Sequence, residues 1–138
     1  MKRFFFVLIL VLLLTCKVWS QEKDSADVQV LTQSSQSWDT EVLPEYPEGQ
    51  PEVKVLLITV PVGAELPMHK HPVINAGVML QGELTVITEE EETLHLKAGE
   101  AIVEVVDKWH YGKNEGDEPA ELIVFYAGTT DKSITVFK

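Results

Sequence analysis

Cysteine is nearly absent: the 138-residue chain holds one, Cys16. No disulfide framework can form within the chain, so a fold must be held by core packing. Basic charge is also scarce, with 11 Lys and Arg against 22 Asp and Glu, a net charge of −11. Nucleic acid and anionic lipid both require a basic face, and this balance excludes them as natural partners. Missing too is any sustained 3.6-residue apolar period after residue 20, so helix should contribute little. The length suffices for one domain.

The longest apolar run lies at the N-terminus. Lys2 and Arg3 precede eleven unbroken apolar residues, Phe4 to Leu14. About 20 residues are needed to cross a bilayer, so this run is too short to span one. With small or apolar residues at Val18 and Ser20, residues 1–20 read as a secretory signal peptide cleaved before Gln21. The mature protein is then expected to be exported, periplasmic or extracellular, with no membrane attachment after cleavage. A lipid anchor through Cys16 is the lesser alternative, since Thr15 and Lys17 fit a lipoprotein signal poorly. Cleavage leaves eight basic residues against 22 acidic ones, a net charge of −14.

Residues 21–52 read as a polar leader, into which a first short strand is set, followed by a Pro-rich arm. The arm runs from Trp38 to Pro51 and contains Pro44, Pro47, Gly49 and Pro51, which exclude regular helix. From residue 53 to residue 138 the chain is strands and turns. Strands are predicted over 53–60, 73–80, 84–88, 93–97, 101–106, 120–126 and 134–137. Short, closely spaced strands argue for a sandwich or barrel. The acidic run Glu89 to Glu92 lacks the spaced oxygen ligands and the Gly of a calcium loop, and reads as a solvated hairpin tip.

Four histidines are present. His69 and His71 stand two apart, so on an extended strand both imidazoles point to one side, as a shared metal ion requires. His110 is available as a third ligand from a distant strand, while His95, between Leu94 and Leu96, alternates onto an outer face. Glu104 interrupts an apolar run, Ala101 to Val106. Facing inward with Ile102, it places a carboxyl group near the histidines as a metal partner or general acid/base; facing outward, it leaves the valines inside. Met79, Trp109 and Tyr111 are candidates to line a pocket, although such residues also serve as core.

The flanking residues extend the pattern. Gly63 lies six before His69, Asn75 four after His71, and Gly82 seven after Asn75. Gly99, His110 and Asn114 follow at the spacing of a second motif, after the sixteen residues Glu83 to Ala98. In both motifs and their separation the chain resembles the cupin superfamily, over nearly all of residues 53–138. Three positions depart: Asn75 stands where the family has a glutamate ligand, Val105 where it has proline, and Asp107 where it has glycine.

The resemblance implies an all-β, single-domain double-stranded β-helix, a jelly-roll barrel preceded by the signal peptide and the extended arm. It implies one divalent transition metal ion (Fe, Mn, Ni, Cu or Zn) on His69, His71 and His110, with Asn75 a weaker oxygen donor. It further implies a small-molecule ligand and a homodimer paired through edge strands or exchanged arms. A three-histidine site with an open position suits a dioxygenase acting on a small organic substrate. The alternatives are an isomerase or lyase using the metal as a Lewis acid, and a barrel that binds a ligand or metal without turnover.

Overall fold

The computed structural model describes residues 26–138, all β and turn, with no helix among them. The expected signal peptide and Cys16 lie outside the described residues. Nine strands follow in order: β1 (Pro51–Val60), β2 (His69–Lys70), β3 (Ile74–Gln81), β4 (Glu83–Thr88), β5 (Thr93–Lys97), β6 (Ala101–Val103), β7 (His110–Lys113), β8 (Ala120–Thr129) and β9 (Val136–Phe137). They form a four-stranded sheet, β1-β8-β3-β6, and a five-stranded sheet, β5-β4-β7-β2-β9. Every pairing is antiparallel. The two sheets face one another in the jelly-roll manner, enclosing one core.

Period-two alternation decides which side chains enter that core. On β8, Ala120, Leu122, Val124 and Tyr126 are buried, while the residues between them face outward. On β3, Asn75, Gly77 and Met79 turn inward. Leu84 and Val86 of β4, Leu96 of β5 and Ile102 of β6 close the core from the other strands. The buried residues are mostly apolar, Met79, Val60 and Leu84 among them, and include the polar His71, Asn75 and His110.

Several strand limits differ from the sequence reading, each for a local reason. β1 begins at Pro51, two residues before the expected start of the barrel, because Pro51 and Glu52 pair with Thr129 and Gly128 of an extended β8. Pro is tolerated there as the first residue of an edge strand. β6 ends at Val103 rather than at residue 106: the Val105 N–H turns to the Glu104 side chain, 2.9 Å away. Asp107 then takes φ of 56°, in the left-handed region. Among its described residues the leader contributes no strand; its nearest pairing is an isolated bridge between Gln36 and Val42. β2 and β7 lie outside the strand ranges predicted above, although the histidines were expected on extended chain; β2 carries His69, β7 carries His110, and His71 follows β2. The acidic run forms the β4–β5 tip with exposed side chains, as expected.

Gly82 sits between β3 and β4 at φ of 69°, and a Cβ there would lie 2.7 Å from the Pro119 carbonyl oxygen. Backbone strain and steric contact therefore both oppose a side chain. Gly82→Ala is expected to cost about 2 kcal/mol or more of stability, readable as a lowered urea midpoint at unchanged slope.

Candidate metal centre

Register brings the histidines together. His69 of β2 is the cross-strand partner of His110 on β7, and His71 lies just past the end of β2. Ring centroids are 4.5 Å apart for His69 and His110, 4.9 Å for His69 and His71, and 5.1 Å for His71 and His110. One nitrogen from each residue lies within 4.8 Å of the others. The arrangement needs both chain segments: β2 and the residue that follows it present two imidazoles, and the β2–β7 pairing supplies the third.

Each ring is fixed by its Nδ1. That of His69 donates to the Pro67 carbonyl at 2.7 Å, that of His71 to the Ile134 carbonyl at 2.8 Å, and that of His110 to the Lys108 carbonyl at 2.9 Å. A carbonyl only accepts, so each Nδ1 carries the hydrogen and each Nε2 presents a lone pair. This is how metal-binding histidines are oriented and made better donors. Burial, followed in effect by the neighbouring His110 and His69, pushes His71 down to about 4 despite its bond to Ile134. Burial also lowers His69, again with its carbonyl bond opposing. His69 and His71 are thus neutral near pH 7, the form that coordinates a metal.

Glu104 faces the same point. Its Oε1 accepts from Trp38 Nε1 at 2.8 Å and from the Val105 N–H at 2.9 Å. Its Oε2 lies 3.8 Å from His110 Nε2. Two donors thus hold one oxygen and leave the other toward the histidines. Ile102 and Glu104 both line the cavity beside the histidines, as the inward alternative requires. Asn75 also lines it and is buried, but its amide makes only a marginal 3.5 Å contact with the Val73 carbonyl. Three imidazole nitrogens with an adjacent carboxyl group suit a divalent transition ion, so the residues fit the implied metal.

The cavity holds about 70 Å³. Beyond the polar residues, its walls are apolar, among them Leu66, Leu84, Leu122 and Val124. Tyr126 closes one side, its ring centroid 5.2 Å from that of His71. Burial first, and the charge of Glu104 second, push the Tyr126 hydroxyl up to about 12, so it remains a proton donor.

Met79, Trp109 and Tyr111 are not among the residues lining this cavity. Met79 points inward and packs in the hydrophobic core. Trp109 and Tyr111 flank His110, and because that ring points in, alternation turns theirs away. Trp109 instead lies under the ammonium groups of Lys70 and Lys138, at 5.4 and 5.8 Å. His95 is exposed on β5 and meets Thr85 Oγ1 at 3.0 Å.

Sequence reasoning missed Trp38, Tyr126 and the carbonyl of Ile134. Tyr126 was legible in the alternation of β8; the other two depend on contacts across 66 and 63 residues. The arm that carries Trp38 is tied down twice more. The Trp38 N–H donates to the Val103 carbonyl at 3.0 Å, and Lys108 Nζ reaches Asp39 at 2.5 Å and Glu41 at 3.1 Å. The bond to Asp39 raises Lys108 further above its usual range. Burial works to raise Asp39, but its hydrogen bonds from Lys108 and Ser37 outweigh it and hold the carboxyl low. Lys108 thus secures the arm with its side chain and orients His110 with its carbonyl.

The lowered His71 has a consequence for the metal-free protein. An unfolded imidazole takes up its proton near pH 6.5, the folded one near 4, so acid favours unfolding between those values. Stability should be fully present above about pH 7 and fall as pH drops through 6.5 toward 4, by about 3 kcal/mol from this residue. Urea titrations across that range should show the slope, and His71→Asn should flatten it.

The family model described as a cupin domain matches residues 56–126, just over half of the chain. No curated protein matches. Among solved structures, a DMSP lyase from Ruegeria pomeroyi is similar at 21% identity and a TM-score of 0.55, over 62% of this chain and 43% of that one. An oxalate oxidase in complex with the substrate analogue glycolate is similar at 25% identity and a TM-score of 0.53, over 62% and 45%. A cupin family protein from Methanocaldococcus jannaschii with a double-stranded β-helix fold aligns at 17% identity and a TM-score of 0.52, over 75% and 87%. The chain spans less than half the length of the first two. The first and third likenesses bear on fold alone.

Proposed function

This chain belongs to the cupin domain family, and from that premise we propose that it is an exported, metal-dependent enzyme acting on a small oxygen-bearing organic substrate, with Glu104 as its proton-transfer group. The observation that carries this reading is the convergence of three Nε2 atoms, each ring oriented by a backbone carbonyl, beside a carboxyl oxygen 3.8 Å from His110 Nε2.

His69, His71 and His110 hold the ion. When bound, a divalent metal supplies Lewis acidity at a carbonyl or hydroxyl oxygen. The chain supplies the rest. Glu104 Oε2 is turned to the cavity and accepts a proton there, while Oε1 stays anchored by Trp38 and Val105. Tyr126, from the same sheet as Glu104, donates a hydrogen bond into the cavity, and the apolar residues exclude water. A cavity of about 70 Å³ selects substrates of a few heavy atoms. Small carboxylates and hydroxy acids suit it, consistent with the oxalate oxidase bound to glycolate. Proton transfer beside a Lewis acid favours lyase or isomerase chemistry. A dioxygenase is the second reading, favoured by the apolar walls, which suit dioxygen.

Protein purified without added metal and then reconstituted should bind one equivalent of divalent metal by elemental analysis. His69→Ala and His110→Ala should each weaken that binding by at least about 100-fold; a full equivalent retained in both would overturn the metal site. Glu104→Gln should keep the metal and lower turnover of small carboxylates about 100-fold or more. Turnover with zinc supports the lyase or isomerase reading, whereas dependence on a redox-active metal with oxygen uptake supports the dioxygenase.

A further inference from the structure

Six polar side chains line the cavity. Three are the histidines and a fourth is Glu104. The other two, Asn75 and Tyr126, are cross-strand partners on β3 and β8. Glu104 adjoins them, its N–H bonded to the Asn75 carbonyl at 3.1 Å. Glu104, Asn75 and Tyr126 thus form one row on the sheet that faces the histidine-bearing strands. Asn75 and Tyr126 are each only 3% accessible. Buried polar groups are normally hydrogen-bonded, because leaving one unpaired costs free energy. These two are nearly without partners. The Asn75 amide has two N–H donors and a carbonyl acceptor, yet it makes one contact at the 3.5 Å limit, to the Val73 carbonyl. The Tyr126 hydroxyl has no hydrogen-bond partner among the described residues; burial and the charge of Glu104 are what act on it.

Given the metal centre proposed above, on which this assignment rests, we propose that Asn75 and Tyr126 together bind the carboxylate of a small 2-hydroxy acid carrying a single negative charge. Both side chains bring neutral hydrogen donors into a pocket whose remaining walls are apolar, Leu66, Leu122 and Val124 among them. Burial keeps the Tyr126 proton in place. A carboxylate offers acceptor oxygens only, so it takes both donors and makes charge-assisted bonds with them. Charge sets the count. Three neutral imidazoles leave a divalent ion its full double charge, Glu104 offsets one unit, and the Asn75 amide offsets none. One positive unit remains, which a monocarboxylate neutralises and an uncharged ligand does not. A glutamate at position 75 would remove that surplus and repel the carboxylate. Glu104, on the other side of Asn75 in the row, is left to accept the hydroxyl proton, so a hydroxyl beside the carboxylate completes the fit.

Calorimetric titration of the zinc-loaded protein with glycolate tests the pair, with glycolamide as the uncharged counterpart. Glycolate should bind at least about 10-fold more tightly than glycolamide. Tyr126→Phe removes only the hydroxyl and should weaken glycolate about 10-fold or more at unchanged zinc stoichiometry. Asn75→Asp sets a like charge against the ligand; it should keep its zinc, weaken glycolate about 100-fold or more, and reverse the preference over glycolamide. Asn75→Ala carries the same expectation in direction for glycolate should Asn75→Asp not fold. A zinc-loaded protein that fails to bind glycolate, or whose folded variants bind it as tightly, overturns the proposal and leaves the metal centre standing. Zinc lost from Asn75→Ala would make the amide a ligand to the ion and overturn it as well. A native protein that takes up no zinc overturns the metal centre and the pair together.

Discussion

Three hydrogen bonds from imidazole Nδ1 atoms to backbone carbonyls are the interactions on which the candidate centre depends. Without them, each ring could rotate or present its N–H inward, and the short sequence distance between His69 and His71 would mean little. With them, three lone pairs face one region of a buried pocket. The carbonyls come from three separate places: Pro67 before β2, Lys108 before β7, and Ile134 before β9. The C-terminal tail is therefore part of the centre, because it carries the acceptor for His71. Burial adds the electrostatic half of the arrangement, since taking an imidazole out of water disfavours its charged form and leaves the neutral ligand.

The carboxyl group beside the histidines comes from an unexpected place. The position that resembles the family's glutamate holds Asn75, and the carboxyl group is supplied by Glu104, one residue past β6. The two residues are neighbours through a backbone hydrogen bond, Glu104 N–H to the Asn75 carbonyl at 3.1 Å. A buried carboxyl group requires donors, and Trp38 and Val105 provide them at one oxygen. The bend that ends β6 and the arm that delivers Trp38 follow from this requirement. Asp107 at positive φ completes the bend where the family pattern has glycine. Aspartate accepts that conformation more readily than most residues, and the Asp107 backbone N–H also bonds the His71 carbonyl at 2.8 Å.

Much of this was legible in the sequence because it depends on local spacing. His69 and His71 at two-residue separation, the turn glycines, and the alternation of β8 all follow from backbone geometry acting over a few residues. The inward placement of Glu104 was one of two alternatives, and neither could be chosen without knowing where β6 ends. The pocket lining was read least well. Trp109 and Tyr111 were considered for their chemistry, but their position on either side of an inward His110 already turned them outward. Trp38 could not be found from spacing, since its partner lies 66 residues away and the arm has no periodicity to orient it.

The candidate centre requires three histidines acting together as ligands, and X-ray absorption at the zinc edge tests this most directly. Protein carrying one equivalent of zinc should show the scattering of three imidazoles around the ion. Two imidazoles or fewer would contradict the account, whatever the protein's affinity for metal.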